Sequence, residues 1–208
     1  MILYDYWRSS AAYRVRIALN LLDMKYELVP VDLTAGEQRS AAHLARNPQG
    51  LVPALEIDGV MMTQSLAIIE YLDETRSAGF RPAEPVERAK VRAIAYAIAM
   101  DLHPICNLSV AQAAVKASNG AIGMKDWMHT FIGPRMLAVE EMLDRSRTGR
   151  FVHGDRPGIA DICLVPQVYN ARRWEVDLSA MPHTLAIDAE MAALPAVAAA
   201  HPDRARPG

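Results

Sequence analysis

Beyond Val86 this chain carries no strand-like alternation of any length, whereas its first 76 or so residues switch repeatedly between strand and helix patterns. That asymmetry implies a small α/β domain followed by an all-helical one. In the front part, residues 2–6 read as an apolar strand and residues 10–22 as a helix. Val15, Ala18, Leu19 and Leu22 fall on one face of that helix at i, i+3, i+4 and i+7. A β-branched and aromatic segment, 26–31, reads as the second strand. The polar turn 34–37 then leads into a short helical stretch at 40–45. Asn47-Pro48-Gln49-Gly50 marks a loop. Residues 54–57 and 60–62 flank Asp58-Gly59, a dipeptide typical of two-residue hairpin turns. A last helix starts at Ser65, with Leu66, Ile69 and Leu72 on one face. The order βαβ then ββα is the thioredoxin arrangement.

Residues 77–85, rich in Gly and Pro, form a linker. The expected domains are therefore 1–78 and 86–208. Helical patterns in the second cover 86–103, 108–117, 126–145, 159–168 and 186–193, and the Pro/Arg tail 201–208 is expected to fray. Lys and Arg are scattered and the formal net charge is −2, which argues against a nucleic-acid partner. The two cysteines, Cys106 and Cys163, lie within apolar helical patterns and read as buried free thiols of a reducing compartment. Residues near Asp5 lack the charged and apolar regions of a signal peptide, and no uncharged apolar run approaches the roughly 18 residues of a membrane span. A cytoplasmic, membrane-free protein is the expectation. The histidines show no paired spacing for a metal.

The junction of first strand and first helix, Tyr6-Trp7-Arg8-Ser9-Ser10, puts two hydroxyls where backbone N–H groups lack intrahelical partners. Such a terminus, flanked by arginines, either is simply capped by a serine or holds an anion, including a thiolate. Val52-Pro53 precedes the third strand, where proline belongs at an edge or special turn.

Taken together and in order, several segments resemble the zeta-class glutathione transferases, the class that includes maleylacetoacetate isomerase and maleylpyruvate isomerase. The first is Arg8-Ser9-Ser10-Ala11-Ala12-Tyr13-Arg14-Val15-Arg16, and the second is Asn47-Pro48 leading to Val52-Pro53. Gln64-Ser65-Leu66-Ala67-Ile68-Ile69-Glu70-Tyr71-Leu72 is the third, and His103-Pro104 with Asn107-Leu108-Ser109 the fourth. The last are Ala160-Asp161 with Leu164-Val165-Pro166-Gln167, and Ala171-Arg172-Arg173-Trp174. The resemblance implies a thioredoxin-like glutathione-binding domain, a helical substrate domain and a homodimer. It also implies glutathione as cofactor, held by Ser9, Ser10, Arg14, Gln38, Val52, Pro53, Gln64, Ser65, His103, Asn107 and Ser109. Ser9, supported by Ser10, would lower the pKa of the glutathione thiol, which lies near the ~8.5 of cysteine when free. The thiolate would add to the double bond of a cis-enone diacid and leave again after rotation, with no metal. A dicarboxylate calls for guanidinium groups, and Arg8 and Arg173 match the positions implied. Consecutive helix residues point about 100° apart, so only one of Arg172 and Arg173 should face a site.

Three positions depart from the family pattern. Ala11 stands where many members have cysteine, which removes a protein thiol from the expected site. His103 resembles the maleylpyruvate enzyme, whereas Leu108-Ser109 resembles the maleylacetoacetate enzymes. Gly158 stands where Ser or Thr usually caps the helix of Asp161, a residue read as serving folding. The expected activity is isomerisation of maleylacetoacetate in tyrosine and phenylalanine breakdown. The alternatives are maleylpyruvate isomerisation, glutathione transfer to or dehalogenation of α-halo acids, and a non-catalytic binding protein on the same fold.

Overall fold

The computed structural model describes residues 1–207, so Gly208 of the expected second domain and tail lies outside the described residues. The chain forms two compact units, one of Met1–Ala78 joined by the segment from Ala192 onward, the other Gly79–Met191.

The first unit is built on β1 (Ile2–Asp5), α1 (Ser10–Leu21), β2 (Glu27–Pro30), α2 (Ala41–Arg46), β3 (Ala54–Ile57), β4 (Val60–Thr63) and α3 (Ser65–Arg76). The sheet order is β2-β1-β3-β4, with β2 parallel to β1 and the β1–β3 and β3–β4 pairs antiparallel. This mixed sheet with its helices is the α/β, thioredoxin-like arrangement expected. Register follows the buried face: Leu3 and Leu55 pair across β1 and β3, and both are fully buried. Asp58, at φ 53°, and Gly59, at φ 79°, supply the two left-handed positions that the β3–β4 turn requires. In α3 the buried stripe is Ser65, Ile68, Ile69 and Leu72, so Leu66 of the expected stripe is only half-buried.

Helix α1 is buried nearly all round, from Ser10 through Leu19 except Ala11, which a helix lying on one sheet face would not be. The cause is the C-terminal segment, whose helices α9 (Pro195–Ala199) and α10 (Pro202–Ala205) return to this unit. Alanines in α9 let it approach α1 closely, and Val197 and Ala200 are buried. Asn20 donates to the Ala196 carbonyl at 3.0 Å, and the Tyr13 ring meets His201 edge-on. The expectation that the tail frays is corrected for residues 201–205: His201 packs on Tyr13, Pro202 is buried and Pro202–Ala205 is helical, held by contacts with residues far away in sequence.

The second unit is helical: α4 (Pro85–Tyr96), running on through a π-helical stretch (Ala97–Leu102), then α5 (Leu108–Ala117), α6 (Met124–Ser146), α7 (Ile159–Arg173) and α8 (Pro182–Ala192). Met128, Ile132, Met136, Val139 and Leu143 make the buried stripe of α6. Glu140 is buried on the same side because it has work there. Its carboxylate accepts from the His183 and Thr184 N–H groups and the Thr184 hydroxyl, capping α8 from another helix. Asp161 accepts from the N–H groups of Gly158 and Val152 at 2.8 Å each, and burial pushes its carboxyl up to about 6. Among the described residues no helix is long and apolar enough to cross a membrane.

Candidate functional site

The β1–α1 junction is shaped by local bonds. The Ser9 N–H donates to the Tyr6 carbonyl at 2.7 Å, turning the chain, and the Ser9 hydroxyl accepts from Ala12 N–H at 3.2 Å as the N-cap of α1. Ser10 is buried in the first turn, and no acidic residue lies in that turn. The positive end of α1 therefore has no acidic side chain of its own first turn to offset it. Arg8 is steered by its neighbours: Nη2 donates to the Tyr6 hydroxyl at 3.0 Å, and the guanidinium lies 4.6 Å from the Trp7 ring centroid.

One turn along α1 from Ser10, Arg14 is 1% exposed and its Nη1 donates to the Ser65 hydroxyl at 3.3 Å, joining α1 to the start of α3. Gln64 precedes Ser65 at φ 68°, a left-handed position that costs a non-glycine residue energy, and its side chain makes no cap. Its amide donates instead to Gln49 Oε1 at 2.7 Å. The loop carrying Gln49 is fastened at Leu51, whose carbonyl accepts from Asn47 at 2.8 Å and meets His43 Nε2 at 2.9 Å. The peptide bond between Val52 and Pro53 is cis. Gln38 flanks the same loop: a Cβ on Gly50 would come within 3.0 Å of the Gln38 carbonyl, and Gly50 has φ 62°. The Gln38 Oε1 is buried and accepts no hydrogen bond from the described residues.

Within the first unit, then, Arg14 meets Ser65, Gln64 meets Gln49, and Gln38 abuts Gly50, while Ser9 and Ser10 open α1. Tyr6, Trp7 and Gln49 join these contacts although the sequence reading did not single them out for the site. Gln49 read only as part of a loop, and nothing in its residue type announces that it reaches Gln64.

The remaining expected site residues lie in the second unit. Asn107 is the N-cap of α5 and accepts from the Ser109 N–H and hydroxyl at 3.1 and 2.9 Å, so these two form one cap. His103 ends the π-helical stretch and is half-buried. Arg173 is exposed at the end of α7, its guanidinium 5.1 Å from the Trp174 ring centroid, whereas Arg172 pairs with Asp188 at 2.7 Å. Burial lifts the Cys106 thiol to about 11, and Cys163 is also buried, so neither cysteine is a ready nucleophile.

The sequence model of the glutathione S-transferase N-terminal domain matches residues 1–74. A maleylacetoacetate isomerase of Rhizobium meliloti (strain 1021) is 60% identical over 208 residues, spanning 99% of this chain and 98% of its own. A solved holo structure of a maleylpyruvate isomerase, described as a bacterial zeta-class glutathione S-transferase, superimposes with a TM-score of 0.93 at 39% identity over 98% of both chains. The maleylacetoacetate isomerase of Methylobacterium extorquens AM1, solved with malonate and glutathione bound, also gives a TM-score of 0.93, at 40% identity over 100% of this chain and 99% of its own. The open N-terminus of α1, the Arg14–Ser65 link and this full-length likeness agree: the chain belongs to the zeta class of the glutathione transferase family.

Proposed function

We propose that the protein is a glutathione-dependent cis–trans isomerase that converts maleylacetoacetate to fumarylacetoacetate. The observation that carries the reading is the N-terminus of α1, with Ser9 as its cap, Ser10 behind it, no acid in the first turn and Arg8 alongside. The residues present suit glutathione. A buried Gln38 oxygen without a protein donor can accept from its amine or amide groups, and the Ser65 and Arg14 pair suits a carboxylate.

Glutathione, when bound, supplies a thiolate that adds reversibly to the cis double bond and so permits rotation about it. The chain's own residues do the rest. The Ser9 hydroxyl and the free N–H groups of the first turn favour the charged form of a sulfur placed there. Val52, before Pro53, offers strand-like backbone pairing to the extended tripeptide, and Gln64 and Ser65 offer the α3 N-terminus to its γ-glutamyl carboxylate. Arg8 orients a substrate carboxylate. His103, Asn107 and Ser109 for glutathione, and Arg173 for substrate, enter by family resemblance. In this reading residues 1–78 bind glutathione and 86–208 serve the substrate, in a cytoplasmic homodimer working in tyrosine and phenylalanine breakdown.

Maleylpyruvate is the second reading, favoured by His103, which resembles the maleylpyruvate enzyme, and by the maleylpyruvate isomerase likeness. The test is turnover with glutathione on both diacids. A higher kcat/KM on maleylacetoacetate is expected, and a preference for maleylpyruvate would reverse the assignment. Failure to bind immobilised glutathione would dismiss both.

A further inference from the structure

The returning C-terminal segment brings a second guanidinium to the α1 junction. Its course is set by three contacts within the first unit. Asn20 holds the Ala196 carbonyl at 3.0 Å, Arg16 Nε holds the Ala200 carbonyl at 2.9 Å, and His201 lies edge-on to Tyr13. The Arg204 N–H then closes on the His201 carbonyl at 2.9 Å, and Pro202 is buried. These fix where α10 ends, and at its end the Arg206 guanidinium lies 5.2 Å from the centroid of Trp7.

Trp7 therefore carries two cations, Arg8 at 4.6 Å and Arg206 at 5.2 Å from the same indole centroid. Those distances bound the separation of the two guanidinium carbons at about 10 Å, comparable to the Debye length in ordinary buffer. An indole attracts a cation modestly, but two like charges beside one ring repel. Among the described residues neither guanidinium is paired with a carboxylate, and the Arg8 Nε is buried without an acceptor. The nearby tail acid, Asp203, is turned to His201 at 3.5 Å. Two guanidiniums with unused donors beside one indole suit a carboxylate, the acceptor their planar forks match.

We propose that Arg206 is a substrate-recognition residue, acting with Arg8 across Trp7 to hold a carboxylate of the acceptor. Trp7 sets the spacing, and α10 delivers the charge. The identity of the acceptor rests on the isomerase reading; the anion site itself does not. A carboxylate of glutathione shares the same chemistry, and the test separates the two.

The probe is malonate, a minimal dicarboxylate, titrated calorimetrically into the full chain and into Arg206→Ala, Arg206→Lys and Arg204→Ala. Arg204 is exposed on the same segment without reaching Trp7 and serves as control. About tenfold weaker malonate binding by Arg206→Ala is expected, with partial retention by Arg206→Lys and none of the loss in Arg204→Ala. In turnover at saturating glutathione, Arg206→Ala should raise KM for maleylacetoacetate several-fold with a smaller change in kcat, while Arg204→Ala changes neither. Unchanged malonate affinity overturns the proposal. A raised KM for glutathione alone overturns the acceptor assignment. Lost malonate binding in a protein whose wild type turns over no diacid would dismiss the isomerase reading and leave the anion site standing.

Discussion

Replacing Arg16 by methionine should remove most of the stability of the first unit, and the reason lies in what the replacement leaves behind. Arg16, 1% exposed, donates to the Asp5 carboxylate at 2.5 Å and to the carbonyls of Trp7 and Ala200 at 2.9 Å each, with Asp5 fully buried. Burial pushes the Asp5 carboxyl up and Arg16 pulls it back, with burial the larger effect. Stability from Asp5 is thus present below its unfolded pKa of 3.8 and lost as pH rises through the folded value, so at neutral pH the charge is a burden that Arg16 offsets. Breaking a buried pair from one side costs about 3–5 kcal/mol, and each carbonyl losing its donor costs about 1 kcal/mol more. Against a typical total of about 5–15 kcal/mol, Arg16→Met leaves little. Asp5→Leu together with Arg16→Met removes both charges and should recover at least about 2 kcal/mol over the single variant. Urea unfolding monitored by circular dichroism reads all four corners of this cycle. A double variant as unstable as the sum of the singles would show that the two charges do not offset one another, and would refute the account.

Gly158→Ser restores the usual capping residue of α7, yet a Cβ there would sit 2.8 Å from the Phe80 carbonyl oxygen, so a loss of about 1 kcal/mol or more is expected in thermal melts, and a gain would contradict the packing. Asp161, ordinarily 3.8 and raised to about 6 by burial, stabilises the fold below the lower value and loses that contribution, about 3 kcal/mol, as pH rises through the upper one. Asp161→Asn should therefore flatten the stability profile between pH 4 and 7; an unaltered slope would point to other groups. Ser9→Ala should lower kcat at least tenfold and raise the pKa of the bound glutathione thiol, read by thiolate absorbance, while costing about 1 kcal/mol of cap. A loss of stability with turnover intact would reduce Ser9 to a cap alone.

Much of the fold was legible because its signals are local. Alternating apolar residues, Asp58-Gly59 and the 3.6-residue stripe of α1 each declare an element within a few positions. Helix ends were harder. Helix α7 continues to Arg173 although its apolar run ends at Val168, because Asn170, Arg172 and Arg173 extend it on a polar side. Helix α8 starts at Pro182, which suits a first helical turn, rather than at Ala186. The candidate site was readable at Arg8, Ser9 and Gln64 by resemblance. The left-handed backbone of Gln64, the reach of Gln49 and the arrival of Arg206 at Trp7 depend on contacts between distant residues, and no local pattern encodes them.

The bond from Arg16 to the Ala200 carbonyl spans 184 positions of sequence, and this has a consequence during synthesis. The strands and helices of the first unit emerge from the ribosome early, yet α1 keeps an uncovered face and a buried arginine short of one partner until the C-terminal segment emerges. At the usual ~5–20 residues per second that interval is about ten to forty seconds. The unit that begins the chain is thus among the last to be finished, and a nascent chain stalled before Ala200 would expose the underside of α1 rather than a detached tail.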